Sequence, residues 1–96
     1  MSIQQRFSWD ARKNRTNIAK HHISFSRAAK IFDGPRLEKE DTRRDYGEKR
    51  MLALGRSGGR ILRVVYTRRN AGIHIISARK ANTHERAEYI RRIQSF

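Results

Sequence analysis

Two kinds of side chain in this sequence can act on a phosphodiester: cations that hold the phosphate, and imidazoles that move protons. Arg50, Arg63, His74, Arg79 and Lys80 fall in the second half of the chain, Lys20 and His21 in the first. Cleavage of an RNA strand without a metal needs a base for the 2′-hydroxyl proton, an acid for the 5′-oxygen and fixed positive charge at the phosphorane. Imidazole and guanidinium suffice for all three. DNA lacks that hydroxyl, so the same groups would only bind it. Each residue also has an ordinary reading. Arg79 can pair with Glu85 or Glu88, His74 can be a surface strand residue, and His21 can face the negative end of its own helix.

Other chemistries find little support. The histidines are His21, His22, His74 and His84, and cysteine is absent. Adjacent histidines on a helix diverge by about 100° and cannot easily chelate together, and no His-x-x-x-His pair exists, so no metal site is expected. Arg56-Ser57-Gly58-Gly59 lies between two expected strands and reads as a turn, without the spacing of a phosphate loop. No serine or cysteine nucleophile has a visible base. No cofactor is expected.

The cations must be positioned by a β-hairpin, Arg60 to Ala81. Ile61 to Thr67 is a run of branched and aromatic residues typical of a central strand. Ile73 to Arg79 answers it, with Ile73, Ile75, Ser77 and Arg79 on one parity and His74, Ile76 and Ala78 on the other. Arg68 to Gly72 supplies the turn. Arg63 and Arg79 stand in strands that otherwise look like core, so one sheet face is expected to be open to solvent or to an anion. A three-residue loop sets Arg63 opposite Ser77, sharing a face with Arg79; a change of one residue brings His74 to the Arg63 face instead.

Around the hairpin, Phe7-Ser8-Trp9 reads as a short edge strand, and Ser2 to Gln5 should fray. Asp10 caps a helix to His21 whose apolar stripe is only Ala11 and Ile18. Ser24 caps a second helix with Phe25, Ala28, Ala29 and Phe32 on one face, ended by a left-handed Gly34 before Pro35. Arg36 to Gly47 reads as a charged edge strand and loop, and Glu48 to Gly55 as a strand with Arg50, Leu52 and Leu54 on one face. Asn82 and Glu85 form a capping box for a last helix with Ala87, Ile90 and Ile93 apolar, and Tyr89 and Phe96 beside them. The fold class is α+β: a short strand and two helices, an antiparallel sheet of about four strands, and a C-terminal helix.

Ninety-six residues suit a single domain spanning 1–96. A net charge of +14 and a pI near 11.5 point to a polyanion. The charge is uneven. Five of the nine acids lie between Glu38 and Glu48, whereas from Lys49 onward 12 basic residues face only Glu85 and Glu88. No apolar stretch approaches the roughly 20 residues of a spanning helix, so no membrane partner is expected. The absence of an apolar leader and of cysteine fits a cytoplasmic protein.

Read together, Trp9-Asp10, Lys13, Asn17 and Lys20-His21, then Ile23, Phe25, Ala28-Ala29, Phe32-Asp33 and Pro35, then Arg50 and Gly55-Arg56, and above all Ile75-Ile76-Ser77-Ala78-Arg79-Lys80-Ala81 with Glu85 and Tyr89, resemble the BrnT toxin family. The resemblance runs from Phe7 to Tyr89. It implies a RelE-like fold and a ribonuclease toxin that blocks translation. It also implies a BrnA-like ribbon-helix-helix antitoxin that covers the toxin in a hetero-oligomer, and operator DNA reached only through that antitoxin. His22 departs from the glycine the family usually has after Lys-His, Gly34 from a frequent acid, and His74 from a frequent arginine.

On this reading Arg79, Arg50, His74 and His21 are the candidate catalytic residues of a metal-independent endoribonuclease. Lys20, Arg63, Lys80 and Arg68 are the candidate contacts to the RNA substrate. A basic binding module without nuclease activity is the alternative.

Overall fold

The computed structural model describes residues 6–94; the expected fraying of Ser2 to Gln5 and the place of Phe96 lie outside the described residues. Five strands form one sheet: β1 (Phe7–Trp9), β2 (Leu37–Glu40), β3 (Arg50–Ser57), β4 (Arg60–Arg69) and β5 (Gly72–Lys80), in the order β1-β5-β4-β3-β2. The sheet is mixed rather than antiparallel throughout, and has five strands rather than about four. β1 runs parallel to β5, pairing Phe7 with Ile73, Ser8 with His74 and Trp9 with Ile75. A three-residue strand joined to a partner 66 residues away carries no local signal of its direction. Gly72 permits the approach, because a Cβ there would lie 2.7 Å from the Arg6 carbonyl.

The β4–β5 hairpin closes on a two-residue turn, with Arg69 opposite Gly72 and both Asn70 (φ 51°) and Ala71 (φ 62°) left-handed. This is the turn whose twist suits flanking strands, shorter by one residue than the three-residue loop. The pairing then shifts: Tyr66 faces Ile75 and Val65 faces Ser77, leaving Ile76 as the extra residue of a β-bulge. Before the bulge His74 pairs with Thr67, and beyond it Arg79 pairs with Arg63. Thr67 and Arg63 are four residues apart on β4 and so point the same way. The bulge therefore sets His74, Arg63 and Arg79 on one face, although an unbroken strand would have kept His74 and Arg79 apart.

The opposite face carries the main core. Ala53, Leu62, Val64, Tyr66, Ile73, Ile75 and Ala78 pack with Ile23, Phe25, Ala28 and Ile31. These come from the segment after α1 (Ala11–His21), from α2 (Phe25–Ala28) and from the 3-10 turn Ala29–Asp33 that continues it. Trp9 meets Phe25 edge-on, and Phe32 meets Tyr66. The expected stripe of Ala11 and Ile18 on α1 is exposed. Two asparagines dock the helix instead. Asn14 accepts from the Phe25 N–H, and buried Asn17 donates to the Ile23 and Ala78 carbonyls and accepts from the Ala78 N–H. Asn17 thus satisfies backbone groups of β5 beyond the last β1 pair. α1 ends on His22, left-handed at φ 61°, as the missing glycine demanded. Gly34 is extended rather than left-handed; its N–H donates to the Ile31 carbonyl at 3.4 Å, and Arg36 donates to the Phe32 and Gly34 carbonyls.

α3 (Thr83–Tyr89) begins on the Asn82–Glu85 capping box and runs into one π turn, Ile90–Gln94. Its buried residue is Tyr89; Ala87 and Ile90 are exposed, contrary to the apolar spacing. Tyr89 donates to the Pro35 carbonyl and packs with Ile61 and Ala81, so α3 covers only one end of the second sheet face.

Candidate phosphate-binding face

What α3 leaves uncovered holds the charged residues in two rows. In the first, Leu54, Arg63 and Arg79 are successive cross-strand partners. Arg79 makes a bidentate contact with Glu85, at 2.8 and 3.0 Å, and Arg63 Nε lies 3.6 Å from the same carboxylate. Like charges directly opposite destabilise a sheet, and Glu85 offsets them. Burial raises the Glu85 pKa, but hydrogen bonds from Arg79 and from the Asn82 N–H outweigh it, so the carboxyl titrates below its usual range. Burial and then Arg79 depress Arg63. A guanidinium remains charged at neutral pH regardless. One carboxylate against two guanidiniums leaves room for an anion.

In the second row Arg50, Thr67, His74 and Ser8 are successive partners across four strands. Ser8 Oγ lies 2.9 Å from His74 Nδ1 and fixes the ring. Burial, then the nearby Arg69, lowers the His74 pKa, so the ring is neutral at pH 7. Arg50 stacks on the Tyr46 ring at 4.2 Å. Its Nε is buried without a hydrogen-bond partner among the described residues, Glu48 standing 3.5 Å away. Glu48 also takes both hydrogen bonds of Arg69. The two rows lie four β4 residues apart, about 13 Å.

The β2–β3 loop flanks the face. Asp41, at 3% exposure, accepts from Arg43 twice at 2.8 Å and from Tyr46, and the Arg43 bonds hold its carboxyl far below the usual range. Beside this loop a groove of about 470 Å³ runs to α3, lined by Leu52, Leu54, Arg63, His84 and Glu85.

The remaining expected residues lie elsewhere. Lys20 and His21 occupy the last turn of α1, which Asn17 tethers to Ala78. Among the described residues no hydrogen bond or ion pair joins either of them to the two rows, and neither pairs with a carboxylate. Lys80 pairs with core-facing Leu62 and so belongs to the opposite side of the sheet from Arg79. Arg68, next to Thr67, also points to that side, its guanidinium 5.9 Å from the Tyr66 ring. Ser8, Tyr46 and Glu48 were not expected at the site. Only Glu48 gave a signal, as an acid at the head of the strand expected over Glu48 to Gly55; the strand begins at Arg50. Among the described residues, no group of three or more His, Asp or Glu could hold a metal ion.

The chain is thus an α+β protein with an arginine-lined, imidazole-bearing sheet face. The sequence profile of BrnT, the ribonuclease toxin of a type II toxin-antitoxin system, matches residues 9–85, and the chain belongs to that family. The fold agrees. It matches the crystal structure of the Brucella abortus ribonuclease toxin, BrnT, at a TM-score of 0.62 and 26% identity, covering 83% of this chain and 100% of that one. Among curated proteins the comparison finds no match. A type II family implies an antitoxin partner. Among the described residues no helix is long and apolar enough to cross a membrane.

Proposed function

We propose that this chain is an endoribonuclease toxin that cleaves RNA on the arginine face and thereby inhibits translation. The observation that carries the reading is the Arg50–His74 row: a neutral, oriented imidazole in line with a guanidinium that stacks on Tyr46 and lies 3.5 Å from Glu48. With its proton on Nδ1 and donated to Ser8 Oγ, His74 presents the Nε2 lone pair to the 2′-hydroxyl. Arg50 then meets the negative charge that develops on the phosphorane as the 2′-oxygen attacks. The 5′-oxygen leaves protonated by solvent on this open face. Arg79 and Arg63, about 13 Å along β4, hold a neighbouring part of the strand. Lys20 and His21 bind it at the β5 edge. The face's own residues supply the base and the fixed charge, so the reading is metal-independent, and chelator should leave the rate unchanged.

The proposed partner is a BrnA-like ribbon-helix-helix antitoxin, which binds operator DNA and through which alone this chain reaches it. Family membership supports that assignment. Induced expression of the chain alone should arrest growth, and Arg79→Ala should relieve the arrest. Purified protein should cleave RNA. An innocuous wild type that leaves RNA intact would defeat the proposal.

A further inference from the structure

We infer that the end of the molecule around the Gly58-Gly59 turn is a second RNA surface, which grips the phosphodiester backbone of a strand extending beyond the arginine face. The inference rests on the ribonuclease reading. Three hollows of about 290, 490 and 760 Å³ ring this end. The first shares Arg56 with the second, the second shares Lys30 with the third, and the third shares Arg60 with the first. Arg27, Lys80 and Arg86 complete a lining in which Asp33 is the one acid.

The charge here is of a different kind from that on the arginine face. There Glu85, Asp41 and Glu48 each tie up at least one guanidinium. Among the described residues, Arg27, Lys30, Arg60, Lys80 and Arg86 form no ion pair with a carboxylate.

The shape and lining select the ligand. Three shallow hollows joined in a ring suit an extended polyanion better than a small enclosed one. The one aromatic in the lining, Tyr89, is 1% exposed, so bases find no ring to stack on. Contact is therefore to phosphates and independent of sequence. Arg60 stands three residues before Arg63 on β4, about 10 Å along the strand, and Lys80 follows Arg79 directly; both point to the other side of the sheet, so a strand leaving the arginine face reaches them by passing over the Gly58-Gly59 end.

The test uses the full chain and a variant combining Arg27→Ala, Arg60→Ala and Arg86→Ala, three exposed positions outside the proposed catalytic row. Binding to a 2′-O-methyl strand of about 20 nucleotides is titrated against salt, where each single-strand phosphate contact contributes a slope of about 0.7. The triple variant should bind more weakly and lose about 2 from its slope, so that between roughly 50 and 200 mM salt the wild type loses about 16-fold more affinity than the variant does. Lysine at the same three positions should restore the slope. Cleavage of a trinucleotide should be equal in all three proteins, while cleavage of the long strand should slow only in the alanine variant. Equal slopes for wild type and alanine variant overturn the surface, as does a difference that appears with polyglutamate and not with RNA. If neither protein cleaves RNA, the ribonuclease reading fails by itself, and the slopes still report on the surface.

Discussion

Arg63 and Arg79 stand directly opposite each other on neighbouring strands, and one carboxylate, Glu85, reaches both. Glu85 competes for the same guanidinium donors that a phosphate would use. Glu85→Gln keeps the capping box while removing the charge. It should lower stability by about 1–2 kcal/mol, the range for partly exposed charge-assisted bonds, in equilibrium urea unfolding. Affinity for a non-cleavable RNA strand should rise. A variant that loses both stability and affinity would make Glu85 a positioning group instead of a competitor.

The depressed pKa of His74 sets the pH dependence. Its neutral form is the proposed base, so kcat/KM should stay level through neutrality and fall only on the acid side of 6.5, the ordinary imidazole value. His74→Ala should reduce kcat/KM by roughly 10²–10⁴-fold and remove that acid limb, whereas His21→Ala should retain it. Stability follows the same sign. As pH drops below 6.5 the unfolded chain takes up the proton first, so the folded state loses stability until pH passes the folded pKa. An acid limb surviving in His74→Ala would move the base elsewhere.

Asn17 is small but holds three backbone groups in a buried place. Asn17→Ala should cost about 3 kcal/mol or more, since each stranded buried group costs on the order of 1–3 kcal/mol. Asn17→Leu should do no better, because the deficit is of hydrogen bonds and not of volume. Thermal unfolding distinguishes this from a surface change, which would shift the midpoint little.

Among the described residues, three other than glycine occupy left-handed positions, His22 at the end of α1 and Asn70 and Ala71 in the hairpin turn, and of these His22 and Ala71 lack the tolerance that asparagine has for that conformation. His22→Gly and Ala71→Gly should each stabilise by about 0.5–1 kcal/mol, with a gain of a few degrees in Tm. A fall in Tm for His22→Gly would show that its side chain contributes more than the backbone strain costs.

What was legible in the sequence was local. Asp10, Ser24 and Asn82 each accept the N–H three residues on, as their types and spacing foretold. The hydrophobic run of β4 marked the centre of the sheet. Features set by distant partners were not legible. Phe7-Ser8-Trp9 shows no preference for parallel pairing until β5 is beside it. Asn14 and Asn17 carried no sign of their burial, because a buried amide looks the same in sequence as an exposed one; the clue was the thin apolar stripe, which left α1 without another means of docking. Lys80 and Arg68 were grouped with the site by proximity along the chain, yet a strand sends adjacent residues to opposite sides.

The bulge at Ile76 makes the count of residues in β5 a determinant of chemistry. Removing one residue between His74 and Arg79, with both ends of the hairpin held in register by the turn and by Asn17, would leave a regular strand in which these two side chains, now four residues apart, still share a face, whereas straightening the bulge with every residue kept would send them to opposite faces. In the straightened strand His74 would turn into the core, or Arg79 would turn away from Glu85. A single-codon deletion there would remove the bulge and still leave the imidazole on the face of the arginine pair.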